Sequence, residues 1–432
     1  MHQRIAAYHW IEPLEALQAL GAQKHLAFLY SSQKEQHTGN YSFLAWGLAE
    51  TVTGSHFAQM PVIPAESAYP IPLWFGYIGY EMRGDIEPAA RLRPASITFP
   101  DMRWNQYVHT LRFDHEAKKV EYYTLHDADP MRMEDMQPYE TPEAQRPITE
   151  EIYSNFTAAS YQQAVQDTVA AIKRGDFYQA NLTRKFFGEM DRPLDPVQTF
   201  IKLTEASPAP YSALIRMDDT AILSSSPECF LSVNNEGKLL VRPIKGSARR
   251  SENSEEDKAI IEALRASEKD RAENLMIVDL MRHDLAQIAI PGSVQLEQFA
   301  ELQSYRTIHH LISTIRAQKK STATLRDILR AVFPPGSMTG APKIAAMAWC
   351  AAQERLERGV YSGALGWLGA GDTCDLSVVI RTVLIQGNKF EFQAGGGIVA
   401  DSDPVLEWQE TLAKTRGIAR ALPIDEALLH AL

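Results

Sequence analysis

The chain has 432 residues, 45 % of them hydrophobic and 22 % charged, with a formal net charge of −11. That suits one large or two ordinary globular domains, and the acidic balance argues against sequence-independent nucleic-acid binding, which needs a basic face. No run approaches the roughly 18–20 apolar residues of a bilayer-spanning helix. The charged segment Met1 to Glu15 does not read as a signal peptide, and Cys229, Cys350 and Cys374, in no metal-like spacing, fit a reducing cytoplasm.

In chain order, Tyr107–Phe113 and Lys119–Leu125 alternate around Asp114-His115-Glu116 and predict a hairpin. The acid- and proline-rich stretch 127–151 reads as a surface loop or linker, dividing a β-rich part, 1–126, from a second part, 152–425. Ser160 and Gln163 suggest a capping box before a helix that carries Val165, Val169 and Ile172 on one face and ends at Gly175. Strands follow at Ala221–Val233, bent at Pro227, and Leu239–Ile244. A helix from about Glu255 to Ile288 is long enough to be broken, and Ile308–Arg316 reads as helix-like. Val378–Ile385 and Phe390–Ala394 form a hairpin around Gly387-Asn388, and a last helix runs from about Pro404 to Arg420. The absence of a βαβ rhythm predicts an α+β fold with antiparallel sheets.

Several constellations can carry chemistry, each with a bland alternative. The loop Phe333 to Lys343 feeds a helix whose first amides could hold an anion, but it lacks the Walker A pattern and also reads as a turn. Gly395, Gly396 and Gly397 after a strand allow close backbone approach to a carboxylate, or form a bulge. Glu410 and Lys414, at i and i+4, would ordinarily be a surface pair worth about 0.3–0.5 kcal/mol. Glu273, opposite an apolar helix face, would default to solvent. Lys245, after an apolar strand end and before Gly246, can point into a cleft and act as a neutral, nucleophilic amine. His310 is either a proton carrier or a hydrogen-bonded structural residue.

In order and spacing these pieces resemble the chorismate-utilising enzymes. The blocks run from about Tyr153 to Arg420: Tyr178-Gln-Ala-Asn-Leu182, Ser226-Pro-Glu228, Arg242-Pro-Ile-Lys-Gly246, Ala272 to Leu280, His310-Leu-Ile-Ser, Gly340-Ala-Pro-Lys343, Ile380-Arg-Thr, Ala394 to Asp401 and Gln409 to Lys414. The N-terminal third matches more loosely, through Leu29–Ser32, Asn40-Tyr-Ser-Phe and Gly76-Tyr-Ile-Gly-Tyr80. Members that add water at C2 of the ring carry a lysine where this chain has Gln179, and anthranilate synthases have a small residue where it has Lys245. The Pro-Ile-Lys-Gly form resembles the branch that aminates chorismate at C4, on the way to para-aminobenzoate.

The resemblance implies two large antiparallel sheets packed orthogonally with helices outside, and makes 127–151 a loop within one fold. It implies Lys245, Glu228 and His310 as catalytic residues. Gln179, Thr339, Gly340, Arg381, Gly395, Gly396, Gly397 and Lys414 would bind substrate, and Glu273 and Glu410 would hold Mg²⁺. It also implies ammonia from a separate glutamine amidotransferase, since no cysteine here has a glutaminase setting, and no nucleic acid or membrane partner. Ser31, Ser32, Tyr41, Ser42, Pro210 and Tyr211 resemble a family amino-acid pocket that could take tryptophan. Departures are His283 for a usual Asn, Trp367 for a Tyr expected near the ring, Cys229 for Arg and Ser247 for Thr. An anthranilate synthase and a catalytically inert amino-acid-binding subunit stay open as alternatives.

Overall fold

The computed structural model describes residues 2–31, 39–69, 71–88, 92–94, 96–125, 149–306, 308–422 and 424–431. Most of the expected loop 127–151 lies outside them, but its end does not: Thr149–Ser154 is a strand pairing with Gln179–Met190.

The ladders are antiparallel and form two arms that diverge from one long strand, Met102–Asp114. One arm passes through Tyr41–Gly54, His25–Tyr30, Tyr211–Met217, Thr220–Ser226, Thr382–Gln386 and Lys389–Ile398 to Gln179–Met190. The other passes through Trp74–Ile78, Ala364–Leu368, Cys374–Val378, Cys229–Val233 and Lys238–Arg242 to Ile308–Gln318, which also pairs with Ile244–Arg249 and Gln295–Ser304. Each arm buries its own core. The first centres on Phe186, Phe200, Phe390 and Trp408, the second on Trp104, Ile277, Leu285 and Ile315. The α+β, antiparallel reading therefore holds, with the expected two sheets joined through the shared strand.

Local chemistry explains most boundaries. The helix Ala158–Arg174 is capped by Thr157, whose hydroxyl accepts from the Ser160 amide, so the cap lies three residues before the Ser160 expected from the sequence. It ends on Gly175 in the left-handed region, φ 89°. The long helix is indeed broken: Ser267 closes Ser254–Ala266 and caps Glu268–Ile288 through its side chain. Pro227 separates Thr220–Ser226 from Cys229–Val233 as expected. Ile308–Gln318 is a strand and not a helix. Its neighbours cover both faces, so the alternation that marks a half-buried strand is missing, and its β-branched residues decide the matter.

Candidate active site

The far ends of the two arms meet, and Lys245 stands where they do. Between Ile244 and Ser247 the pairing with Ile308–Gln318 slips, so Lys245 and Gly246 form a bulge. A bulge re-aims a side chain, and Gly246 supplies the left-handed backbone it needs, φ 90°. Asn274, one residue past Glu273, holds the bulge by donating to the Lys245 carbonyl at 3.3 Å and that of Leu311 at 3.4 Å. Lys245 Nζ reaches across to the Ser337 carbonyl at 3.4 Å. It also lies 3.4 Å from where a Cβ on Gly397 would sit, and Gln179 Nε2 lies 2.4 Å from that same point. A side chain at 397 would therefore displace the Gln179 amide and press against Lys245 Nζ.

The floor of the cleft is a close meeting of backbones. The Asn181 amide donates to the Thr339 carbonyl at 2.8 Å, and Gly340 pairs with Ala180. A Cβ on Gly340 would fall 2.1 Å from the Gln179 carbonyl, so only glycine fits. The Thr339 hydroxyl donates to the Gly336 carbonyl at 3.1 Å. The Gln179 amide is buried, and neither its oxygen nor its nitrogen has a partner among the described residues.

On one side of Lys245 stand carboxylates. A Cβ on Gly396 would lie 2.9 Å from Glu407 and 3.4 Å from Glu410. Lys269 bridges Glu273 at 3.9 Å and Glu407 at 3.8 Å. Burial raises the pKa of Glu273 and Glu407, reinforced in Glu407 by Glu410 and in Glu273 by Asp270 and Glu407. Glu410 moves down, chiefly because Lys414 sits 2.6 Å away. Lys414 also donates to the Gly395 carbonyl at 2.7 Å, so the pair is more than a surface contact. Glu407 was not anticipated from the sequence. It follows from Glu410 by one helical turn, which was the available signal. Among the described residues no group of three or more His, Cys, Asp or Glu side chains is arranged to hold a metal ion. The donors are nonetheless all carboxylate oxygens, the chemistry a hard dication such as Mg²⁺ takes.

On the other side, burial pushes Glu228 up to about 7 against the opposing pull of Ser337 and Lys245. His310 Nδ1 is 2.5 Å from the Ser247 hydroxyl, and its Nε2 has no partner among the described residues. Burial, with the charges of Arg381 and His309, holds His310 well below its ordinary pKa and neutral. Arg381 adopts φ 50°, a strained setting for a side-chain-bearing residue of the kind found at functional sites. Burial lowers its pKa to about 10, opposed by Glu228. His283 is exposed, so that departure leaves the cleft unchanged.

A sequence profile described as chorismate binding enzyme matches residues 11–420, well beyond the stretch where the motifs are densest. The chain belongs to the chorismate-binding enzyme family. It is 38 % identical over 350 residues to aminodeoxychorismate synthase component 1 of Salmonella typhimurium, covering 80 % of this chain and 76 % of that protein. Anthranilate synthase component I of Streptococcus pneumoniae superposes with a TM-score of 0.75 at 27 % identity, covering 89 % of this chain and 95 % of that one. The isochorismate synthase MenF of Escherichia coli superposes at 0.78 with 17 % identity, covering 98 % and 95 %, a likeness of fold.

This chorismate-binding enzyme has a second cavity, of about 720 Å³, lined in part by Ser31, Tyr41, Phe43, Pro210, Tyr211, Trp367 and Asp375. Of the residues expected to form an amino-acid pocket, Ser31, Tyr41, Pro210 and Tyr211 line this cavity. Ser32 lies outside the described residues. Ser42 is not in the lining: its hydroxyl sits behind Ser31, accepting from the Ser31 amide at 3.1 Å and meeting His115 Nε2 at 2.7 Å. Trp367 lines this cavity, packed against Phe43 at 6.4 Å, and corrects the expectation that it sits at the chorismate ring. Asp375 was missed. Burial pushes its carboxyl up to about 7 despite a hydrogen bond from Tyr211, and its Oδ1 has no partner among the described residues.

The buried Glu228 predicts a pH-dependent stability. Its folded pKa, about 7, lies above the ordinary 4.5, so the folded state holds the proton more tightly. Its stability is complete below about pH 4.5 and is lost as pH rises through about 7. Glu228→Gln should match the wild type near pH 4.5 and be more stable by up to about 3 kcal/mol at pH 8. Urea unfolding midpoints at the two pH values check this, and a difference independent of pH would show that folding does not raise the pKa of Glu228.

Proposed function

We infer that this chain is the chorismate-aminating component of an aminodeoxychorismate synthase, converting chorismate and ammonia to 4-amino-4-deoxychorismate. The observation that carries the reading is the placement of Lys245 Nζ in the cleft, between the Ser337 carbonyl and the Gly397 backbone and beside a buried carboxyl with a pKa near 7. A simple binding subunit needs no such pairing of amine and proton carrier. The aminodeoxychorismate synthase relatives support the same reading.

In the proposed reaction Lys245 first gives the proton of its ammonium to solvent, and the neutral Nζ then bonds to C2 of the ring as the diene electrons shift and the C4–O bond breaks. Glu228, whose pKa near 7 keeps about half of it protonated at neutral pH, gives its proton to the departing hydroxyl, which leaves as water. Neutral His310, fixed through Ser247, steadies that hydroxyl through Nε2. Ammonia then bonds to C4 as the C2–N bond breaks and the lysine is released. Arg381 and the amides around Gly395–Gly397 hold the substrate carboxylates, Gln179 offers its unpartnered amide to the ring substituents, and Lys414 orders the Gly395 backbone. Glu273 and Glu410, with Glu407 beside them, would hold Mg²⁺, which when bound neutralises the ring carboxylate and draws electrons from the diene. The ammonia comes from a separate glutamine amidotransferase. The second cavity, with Asp375 facing the ammonium group, takes an amino acid of tryptophan's size.

Chorismate, magnesium and ammonium salt should yield 4-amino-4-deoxychorismate without pyruvate, and glutamine should not replace ammonium for the purified chain. Pyruvate released with an aromatic amine would identify an anthranilate synthase instead. In the second cavity, calorimetry should detect tryptophan binding at millimolar concentration or below, weakened at least tenfold in Asp375→Asn; no heat of binding would remove that assignment.

A further inference from the structure

The lysine that bridges the carboxylates has properties unlike the other lysines of the site. Lys269 lies in the first turn of Glu268–Ile288, four residues before Glu273. Its Nζ is 3.9 Å from Glu273 and 3.8 Å from Glu407, two acids on different helices. Both separations exceed a hydrogen bond, so the ammonium is attracted to the pair without being fixed to either. Its side chain is 51 % exposed, so the way out to solvent is open. Lys343 makes the contrast. It is largely buried and anchored at 2.7 Å to Asp284 and at 3.2 and 3.1 Å to the Val332 and Pro334 carbonyls. Glu410, the third acid, already has Lys414 at 2.6 Å. Glu273 and Glu407 repel each other, and Lys269 offsets that repulsion at both.

We propose that Lys269 is a displaceable internal counter-ion: it holds Glu273 and Glu407 together until a divalent cation enters, then swings into solvent as the cation takes its place. A flexible four-carbon stem and a strongly hydrated head suit lysine to such a move. The inference rests on the reading of these acids as the Mg²⁺ site. It implies that entry of the metal must first break two weak ion pairs.

The test is metal binding by the substrate-free chain, measured by Mg²⁺ calorimetry and by electron paramagnetic resonance with Mn²⁺. Lys269→Met should bind either ion roughly three- to tenfold more tightly than wild type, the gain expected from removing two modest ion pairs. Lys269→Arg, which keeps the charge, should not gain. Lys269→Met should also melt lower than wild type in metal-free buffer, with the gap closing when Mg²⁺ is added, which shows that the variant folds. Unchanged or weaker binding by Lys269→Met, or an equal gain in Lys269→Arg, overturns the proposal while leaving the metal site intact. If wild type and both variants fail to bind either ion, the metal reading itself falls and the inference with it.

Discussion

The cleft depends on one buried ion pair. Arg358, with its guanidinium out of solvent, is held by Glu354 at 2.6 and 2.8 Å. It donates as well to the Asn181 and Met338 carbonyls, each at 2.7 Å. Its own carbonyl accepts from Gln393 at 2.8 Å, and Glu354 accepts from the Thr183 amide at 2.9 Å. The strand Gln179–Met190, the strand Lys389–Ile398 and the loop before Gly340 are thus tied at one point. Those segments carry Gln179, Gly395–Gly397 and Thr339. Charges taken out of water are tolerated only when fully hydrogen-bonded, and losing one partner typically costs about 3–5 kcal/mol. The clamp sits beneath the cleft floor and touches none of the residues assigned to the chemistry, so its role is to hold backbones at contact distance.

With the floor fixed, the walls work by charge. Lys245 projects from a bulge on one arm toward glycines on the other, and its positive charge pulls down the pKa of Glu228, Glu273 and Glu410. Glu228 resists because it is buried, and its pKa stays raised to about 7. Glu410 yields because Lys414 is next to it. Burial and neighbours thereby move the pKa values of three carboxylates of one chemical kind in different directions, Glu228 and Glu273 up and Glu410 down.

Much of this was legible in the sequence, for identifiable reasons. Lys245, Glu228, Gln179 and the three glycines lie in short blocks whose local pattern survives folding, and the structure gathers them into one cleft. Gly175, Pro227 and the Gly387 turn mark element ends because their backbone demands are local. What could not be read depends on distant partners. Ile308–Gln318 looked helical because it is buried on both faces, so its residues show no strand alternation, and two of the strands that pair with it, Lys238–Arg242 and Ile244–Arg249, lie well upstream in the chain. Glu354 and Arg358 would pass for a solvated i, i+4 pair, and Trp367 was assigned to the wrong cavity because only the sheet pairing shows which face it takes. Asp375 carries no motif of its own and emerges only from what it faces, whereas Glu407 could have been read from its place one helical turn before Glu410.

The central claim is that Lys245 bonds to the substrate. The direct measurement is the intact mass of the chain after incubation with chorismate and magnesium in ammonia- and amine-free buffer, followed by peptide mapping. The account predicts an increase equal to chorismate less one water, located on the peptide holding Lys245, removed by later addition of ammonium and absent from Lys245→Ala. An unmodified wild-type chain, together with undiminished ammonia-dependent amination by Lys245→Ala, would contradict it.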